Sequence, residues 1–111
     1  MGKEIKSFED IDAWQLGMEL AERIYVLADS PRLHADKALW EQIHRAVTSI
    51  PSNIAEGHEL PTRAYRHHVR IALGSLSEID TQVELIGRLS MLPAARVRTM
   101  QADVVELRRL P

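Results

Sequence analysis

Seven apolar residues recur at alternating steps of four and three along one stretch in the second half of the chain. They are Tyr65, Val69, Ala72, Leu76, Ile79, Val83 and Ile86. This spacing places all of them on one face of an α-helix, and its seven-residue period is the one that left-handed helix packing requires. Because such a face must be covered by other helices, the pattern predicts a helical bundle.

Three further segments show helical spacing, and no segment alternates as a strand does. Their apolar sets are Ile11, Trp14, Met18, Ala21, Tyr25 and Ala28; Leu39, Ile43, Ala46, Val47, Ile50 and Ile54; and Val97, Met100, Val104 and Leu107. The first helix is expected to begin near Ser7, which forms a possible capping box with Asp10, and to end before Pro31. Thr62 is the expected cap of the third helix.

The chain has 111 residues, which suffice for one domain but not for two. Four amphipathic helices with short connections favour an all-α fold, an up-down-up-down four-helix bundle. The prediction is therefore a single bundle domain over residues 1–111, with residues 1–6 flexible.

Pro51 lies inside the second helical segment, where it removes a backbone hydrogen bond at a cost of roughly 3 kcal/mol. Ile50 and Ile54 nevertheless keep the same apolar phase on its two sides. We therefore expect one helix from about residue 36 to 56, kinked at Pro51 and ended by Gly57 in a left-handed cap. The small residues around Gly74 are a candidate packing partner for the kink.

Composition removes several classes of function. The chain has no cysteine, and hence neither disulfides nor thiolate metal sites. No apolar run reaches the roughly 20 residues of a membrane span, and no signal peptide is recognisable, so a cytoplasmic protein is expected. Glu41 and His44 have the Glu-x-x-His spacing of di-iron bundles, but there is no second copy. We expect no metal, no cofactor and no catalytic residues, and therefore no enzyme.

A polar line runs along the second helix at steps of four, three and four. It consists of Arg45, Ser49, Ser52 and Glu56. The line is either a solvated face or a subunit contact, and Trp40 is expected to pack in the core or at the same interface. Apolar residues outside the main stripes also predict self-association. They are Leu16, Leu20, Ile24 and Leu27 on the first helix and Val47 on the second.

Basic residues cluster at the start of the third helix, although the formal net charge of the chain is −2. No acid occurs between Leu60 and Ser77. The cluster, here called the basic stripe, consists of Arg63, Arg66, His67 and Arg70. It is either a solvated face or a contact for nucleic-acid phosphates, in which case binding depends strongly on salt.

Three strings resemble a known family: "FEDIDAW", "RAVTSIPSNIAEG" and "RIALGSLSEIDTQ", within residues 7 to 92. They are similar to the 23S ribosomal RNA intervening-sequence proteins. Where the family usually has an arginine and an aromatic residue, this chain has His67 and His68. The resemblance implies a four-helix bundle assembled as a homopentameric barrel, without catalytic activity.

A similar protein, the accessory variability determinant of diversity-generating retroelements, binds RNA and works with a reverse transcriptase. Two functions therefore stay open for this chain. One is a ring-shaped accessory protein that binds RNA or DNA. The other is an assembly module that docks a protein partner, such as a reverse transcriptase, and has no nucleic-acid role.

Overall fold

A computed structural model describes residues 4–27 and 29–110 of the chain. These residues form one 3-10 turn and five α-helices, and they contain no strand, which confirms the all-α prediction. The turn is Phe8–Asp10, and the helices are α1 (Asp12–Leu27), α2 (Pro31–Ala35), α3 (Lys37–His58), α4 (Thr62–Arg88) and α5 (Ala94–Arg109). The segment predicted to be flexible, residues 1–6, lies partly outside the described residues.

Helix boundaries differ from the predicted ones at three places. The chain enters α1 through the 3-10 turn, where the Asp10 carboxylate accepts hydrogen bonds from the backbone N–H groups of Lys6 and Ser7 at 2.8 and 3.2 Å. Pro31 begins the short helix α2, which was not predicted, because a proline at the first position loses no helical hydrogen bond. Thr62 is the first residue of α4 and does not cap it; Pro61 holds the cap position.

The four long helices surround one core. Each of them contacts two others, in the cyclic order α1, α3, α4, α5. All members of the apolar sets predicted on α3 and α5 are buried. On α4 the five residues from Ala72 to Ile86 are buried, whereas Tyr65 and Val69 at its beginning are half-buried. The periodicity therefore identified three of the four core faces.

The core face predicted for the first helix is right only in part. Ala21 is buried and Ile11 and Trp14 pack against the core, whereas Ala28 lies outside the described residues. Leu20 and Ile24, expected outside the main stripe, are 0% exposed, whereas Tyr25, expected inside it, is 52% exposed. The physical reason is Gly17, since a Cβ atom there would lie 3.1 Å from Cγ2 of Ile50. Because α1 approaches α3 closely at Gly17, the side of α1 that contains this glycine faces the core.

Val47 is also fully buried, whereas Leu16 and Leu27 are half-buried against the core. The apolar residues that predicted an interface thus belong largely to the core.

Helix α3 continues across Pro51, as predicted, and the bend at that residue stays a prediction. The ring of Pro51 lies against Gly17 of α1, with 3.5 Å between Cδ and the position of a Cβ at Gly17. Gly74 cannot be the partner of Pro51, because it faces open space. The proposed pairing of the kink with Gly74 was therefore wrong, although Ser75 of the same group of small residues meets Ser49, two residues before Pro51.

Gly57 does not form a left-handed cap. It lies inside α3, which ends one residue later, and no described glycine has a positive φ. A Cβ at Gly57 would lie only 2.8 Å from Cβ of His68 and 3.0 Å from Cδ1 of Tyr65. Glycine is required there because α4 approaches α3 closely.

Among the described helices, none combines the length and the apolar character that crossing a membrane demands.

Candidate nucleic-acid interface

The basic stripe lies on the outer side of the first three turns of α4. Arg63, Arg66, His67 and Arg70 are all exposed. Within residues 4–27 and 29–110, none of the three guanidinium groups has a hydrogen bond or an ion pair. The first turn of α4 contains no acid, although a helix N-terminus favours acids over bases. The helix dipole therefore does not explain the arginine in the first turn, Arg63.

The two adjacent histidines differ in their surroundings. His67 is exposed beside the arginines, whereas the side chain of His68 is only 19% exposed and turns towards α3. Nδ1 of His68 lies 3.0 Å from Oδ1 of Asn53 and 3.7 Å from Oε2 of Glu56. His67 can thus contact a ligand on the stripe, and His68 joins α4 to α3.

A chain of polar contacts continues from Asn53 into the α3–α4 packing. The Asn53 side-chain amide donates hydrogen bonds to the carbonyl oxygen and the hydroxyl of Ser49 at 2.8 and 3.0 Å. The hydroxyl of Ser75, which is buried on α4, donates to the Ser49 hydroxyl at 2.8 Å. Ser49 is therefore engaged inside the chain.

The predicted polar line of α3 is consequently divided. Ser49 and Glu56 face α4, whereas Arg45 and Ser52 are exposed and have no side-chain partner in the described part of the chain. As a subunit contact, the line stays a prediction.

Trp40 is half-buried and belongs to an aromatic cluster on the outer side of α1, α2 and α3. Its ring stacks on His34, with centroids 4.2 Å apart, and lies 3.9 Å from the ring of His44. Tyr25 meets His44 edge-on at 4.2 Å. The Trp40 carbonyl oxygen lies 2.6 Å from Nδ1 of His44. The imidazole of His44, the histidine of the Glu-x-x-His pair, is thus held by the backbone of its own helix.

Two neighbours of the basic stripe were not predicted. The guanidinium of Arg108 on α5 lies 3.5 Å from Oγ of Ser77 and 3.9 Å from the Asp80 carboxylate. Ser77 stands seven residues after Arg70, on the same face of α4, so Arg108 extends the row of cations. The second neighbour is a cavity of about 240 Å³ behind the stripe, with Tyr65 and Val69 in its wall. Neither follows from the sequence, because both depend on how far α5 extends along α4.

An all-α bundle whose longest helix carries a row of exposed arginines, without partners among the described residues, belongs to a class of small helical proteins with a basic helix face. The chain belongs to the 23S rRNA-intervening sequence protein family, whose model matches residues 9–110. This match confirms the resemblance found in the sequence. The family is not a known enzyme family. The chain matches no curated protein.

Proposed function

We propose that this protein is a non-enzymatic, homo-oligomeric accessory protein of the cytoplasm that binds RNA through the basic stripe. The observation that carries the proposal is the row of exposed arginines on α4 that have no partner among the described residues. Guanidinium groups bind phosphate oxygens through paired hydrogen bonds. Neighbouring side chains at steps of three and four stand roughly 5–6 Å apart on a helix, which is comparable to the phosphate spacing of an extended strand.

The proposal takes the bundle to be up-down-up-down. Contacts between successive helices support this order, because residues further along one helix meet residues further back along the next. The pairs are Asn53 with His68 and Ser49 with Ser75 between α3 and α4, and Gly87 with Val97 and Ser77 with Arg108 between α4 and α5.

Self-association is proposed through an apolar groove between α1 and α3. Its wall includes Met18, Tyr25, Val26, Pro51 and Ser52. Val26 is 70% exposed, and an apolar surface of this kind is typical of an interface. A head-to-tail contact gives a closed ring when the rotation from one copy to the next divides a full turn. The number five rests on the family resemblance. Each subunit of a ring repeats the stripe, so that weak contacts add through multivalency, and phosphates respond to the nearby field more than to the net charge.

The test measures the affinity for labelled single-stranded RNA by fluorescence anisotropy over a range of salt concentrations. Changing Arg63, Arg66 and Arg70 together to Gln should weaken binding and lower the salt slope by about two for each engaged subunit. The matched control changes Arg88, Arg96 and Arg98 to Gln, since these arginines are also exposed and lack partners in the described residues. The control has the same net charge as the variant of Arg63, Arg66 and Arg70, here called the stripe variant. It should bind RNA as the parent does. If the stripe variant stays assembled and keeps the parent's affinity and salt slope, the stripe is only a solvated face.

A protein-docking module is the second candidate, favoured by apolar side chains on α4 and α5 away from the groove. Leu85, Leu89 and Val105 are 45%, 43% and 51% exposed. Capture from cell extract with RNA sequencing and proteomics on the same eluate separates the two functions. A protein partner recovered without RNA would favour docking.

A further inference from the structure

We infer that Tyr65 receives one unstacked base of a single-stranded RNA in the cavity behind the basic stripe, while Arg66 and Arg70 hold the adjacent phosphates. This inference rests on the proposed function, and it adds the kind of RNA and the way in which it is bound. The evidence is the position, size and lining of the cavity and the surroundings of Tyr65.

The cavity exists because α5 covers only part of α4. Contacts of Gly87 with Val97 and of Ser77 with Arg108 show that α5 runs along the C-terminal half of α4 and ends as a helix at Arg109. Beside the N-terminal half of α4 this leaves a space of about 240 Å³, whose walls are mostly apolar. Pockets for drug-sized ligands begin at roughly 300 Å³, so this space suits a single planar ring system.

The cavity opens next to the arginines. Tyr65, Arg66, Val69 and Arg70 form a surface cleft, and Tyr65 and Val69 also line the cavity. Arg108 of α5 also lines the cavity. A ligand that suits this arrangement carries repeated negative charges and a flat, largely apolar group between them. A strand of nucleotides has both features, whereas a fatty acid has one charge and would leave one of the arginines of the cleft unused.

Tyr65 is already positioned to stack. Its ring packs against the backbone of α3 at Gly57, where a Cβ would lie 3.0 Å from Cδ1, so that no side chain separates them. The hydroxyl of Tyr65 makes no hydrogen bond within residues 4–27 and 29–110, and it can bond to a base edge. Stacking on an aromatic ring tolerates every base, and a duplex cannot offer an unpaired one. The site therefore selects single strands with little sequence preference.

The test compares two RNA strands of equal length on the parent protein: one with all its bases and one with abasic positions at every third nucleotide. Both carry the same phosphates. We expect the abasic strand to bind about 5- to 150-fold more weakly, which is the range for the loss of one stacked base. Tyr65→Leu should bind both strands equally weakly, and Tyr65→Phe, which keeps the ring, should discriminate as the parent does.

Each outcome of this test decides one proposal. If the parent binds both strands equally while the stripe variant loses affinity, the base site is wrong and the RNA interface stands. If the stripe variant keeps its affinity, the proposed function itself fails. Decanoate that binds in the cavity without displacing the complete strand would also overturn the base site. The abasic comparison uses the unaltered protein, so its result does not depend on the folding of a variant.

Discussion

The guanidinium of Arg23 on α1 holds the carboxylate of Asp103 on α5, with Nη1 at 2.5 and 2.6 Å from the two oxygens. The hydrogen bond to Asp103 and the negative charge of that carboxylate raise the pKa of Arg23. The side chain of Asp103 is 9% exposed and that of Arg23 is 44% exposed, so the pair reaches from the core to the surface. It joins the first long helix to the last.

Replacing Arg23 by Met should destabilise the protein by about 1–3 kcal/mol, because the carboxylate of Asp103 stays largely buried without its partner. Urea unfolding followed by circular dichroism measures the loss. The control variant changes both residues, Arg23→Met with Asp103→Leu, and should recover most of the stability because no buried charge is left. A single variant as stable as the parent would show that the pair contributes nothing.

Two glycines inside helices should respond in opposite directions to alanine. Gly74→Ala should stabilise the protein by up to about 1 kcal/mol, because alanine favours helix and the added methyl group meets open space. Gly57→Ala should destabilise it by about 1–3 kcal/mol, because the methyl group overlaps His68 and Tyr65. Thermal unfolding of the two variants measures the effects, and each variant serves as the control for the other. Equal stabilisation by both would contradict the close approach of α3 and α4.

Light scattering should give a mass near five times the 12.6 kDa of one chain. Val26→Asp should reduce this mass, because a carboxylate in the α1–α3 groove would be buried against a second copy without a partner. Val105→Asp, at a similarly exposed position on α5, is the control and should leave the mass unchanged. A monomer of the parent at micromolar concentration would refute self-association.

Periodicity predicted the core faces of α3, α4 and α5 because each of these helices has polar residues on its other sides. It was only partly right on α1, where apolar residues cover a wide arc of the helix and the inward position of Gly17 decides which of them are buried. The arginines of the stripe were predictable because their helical spacing alone places them on one side. The cavity beside Tyr65 was not, because it depends on where α5 ends relative to α4.

The hydroxyl pair of Ser49 and Ser75 has a consequence for how the α3–α4 hairpin can move. If α4 slid along α3 by one turn, the two hydroxyls would separate, and the buried hydroxyl of Ser75 would lose its partner at a cost of about 1–3 kcal/mol. The pair therefore favours one register of α4 along α3. In the proposed ring, every copy would then present its arginines at the same height, as an RNA strand that passes from one copy to the next requires.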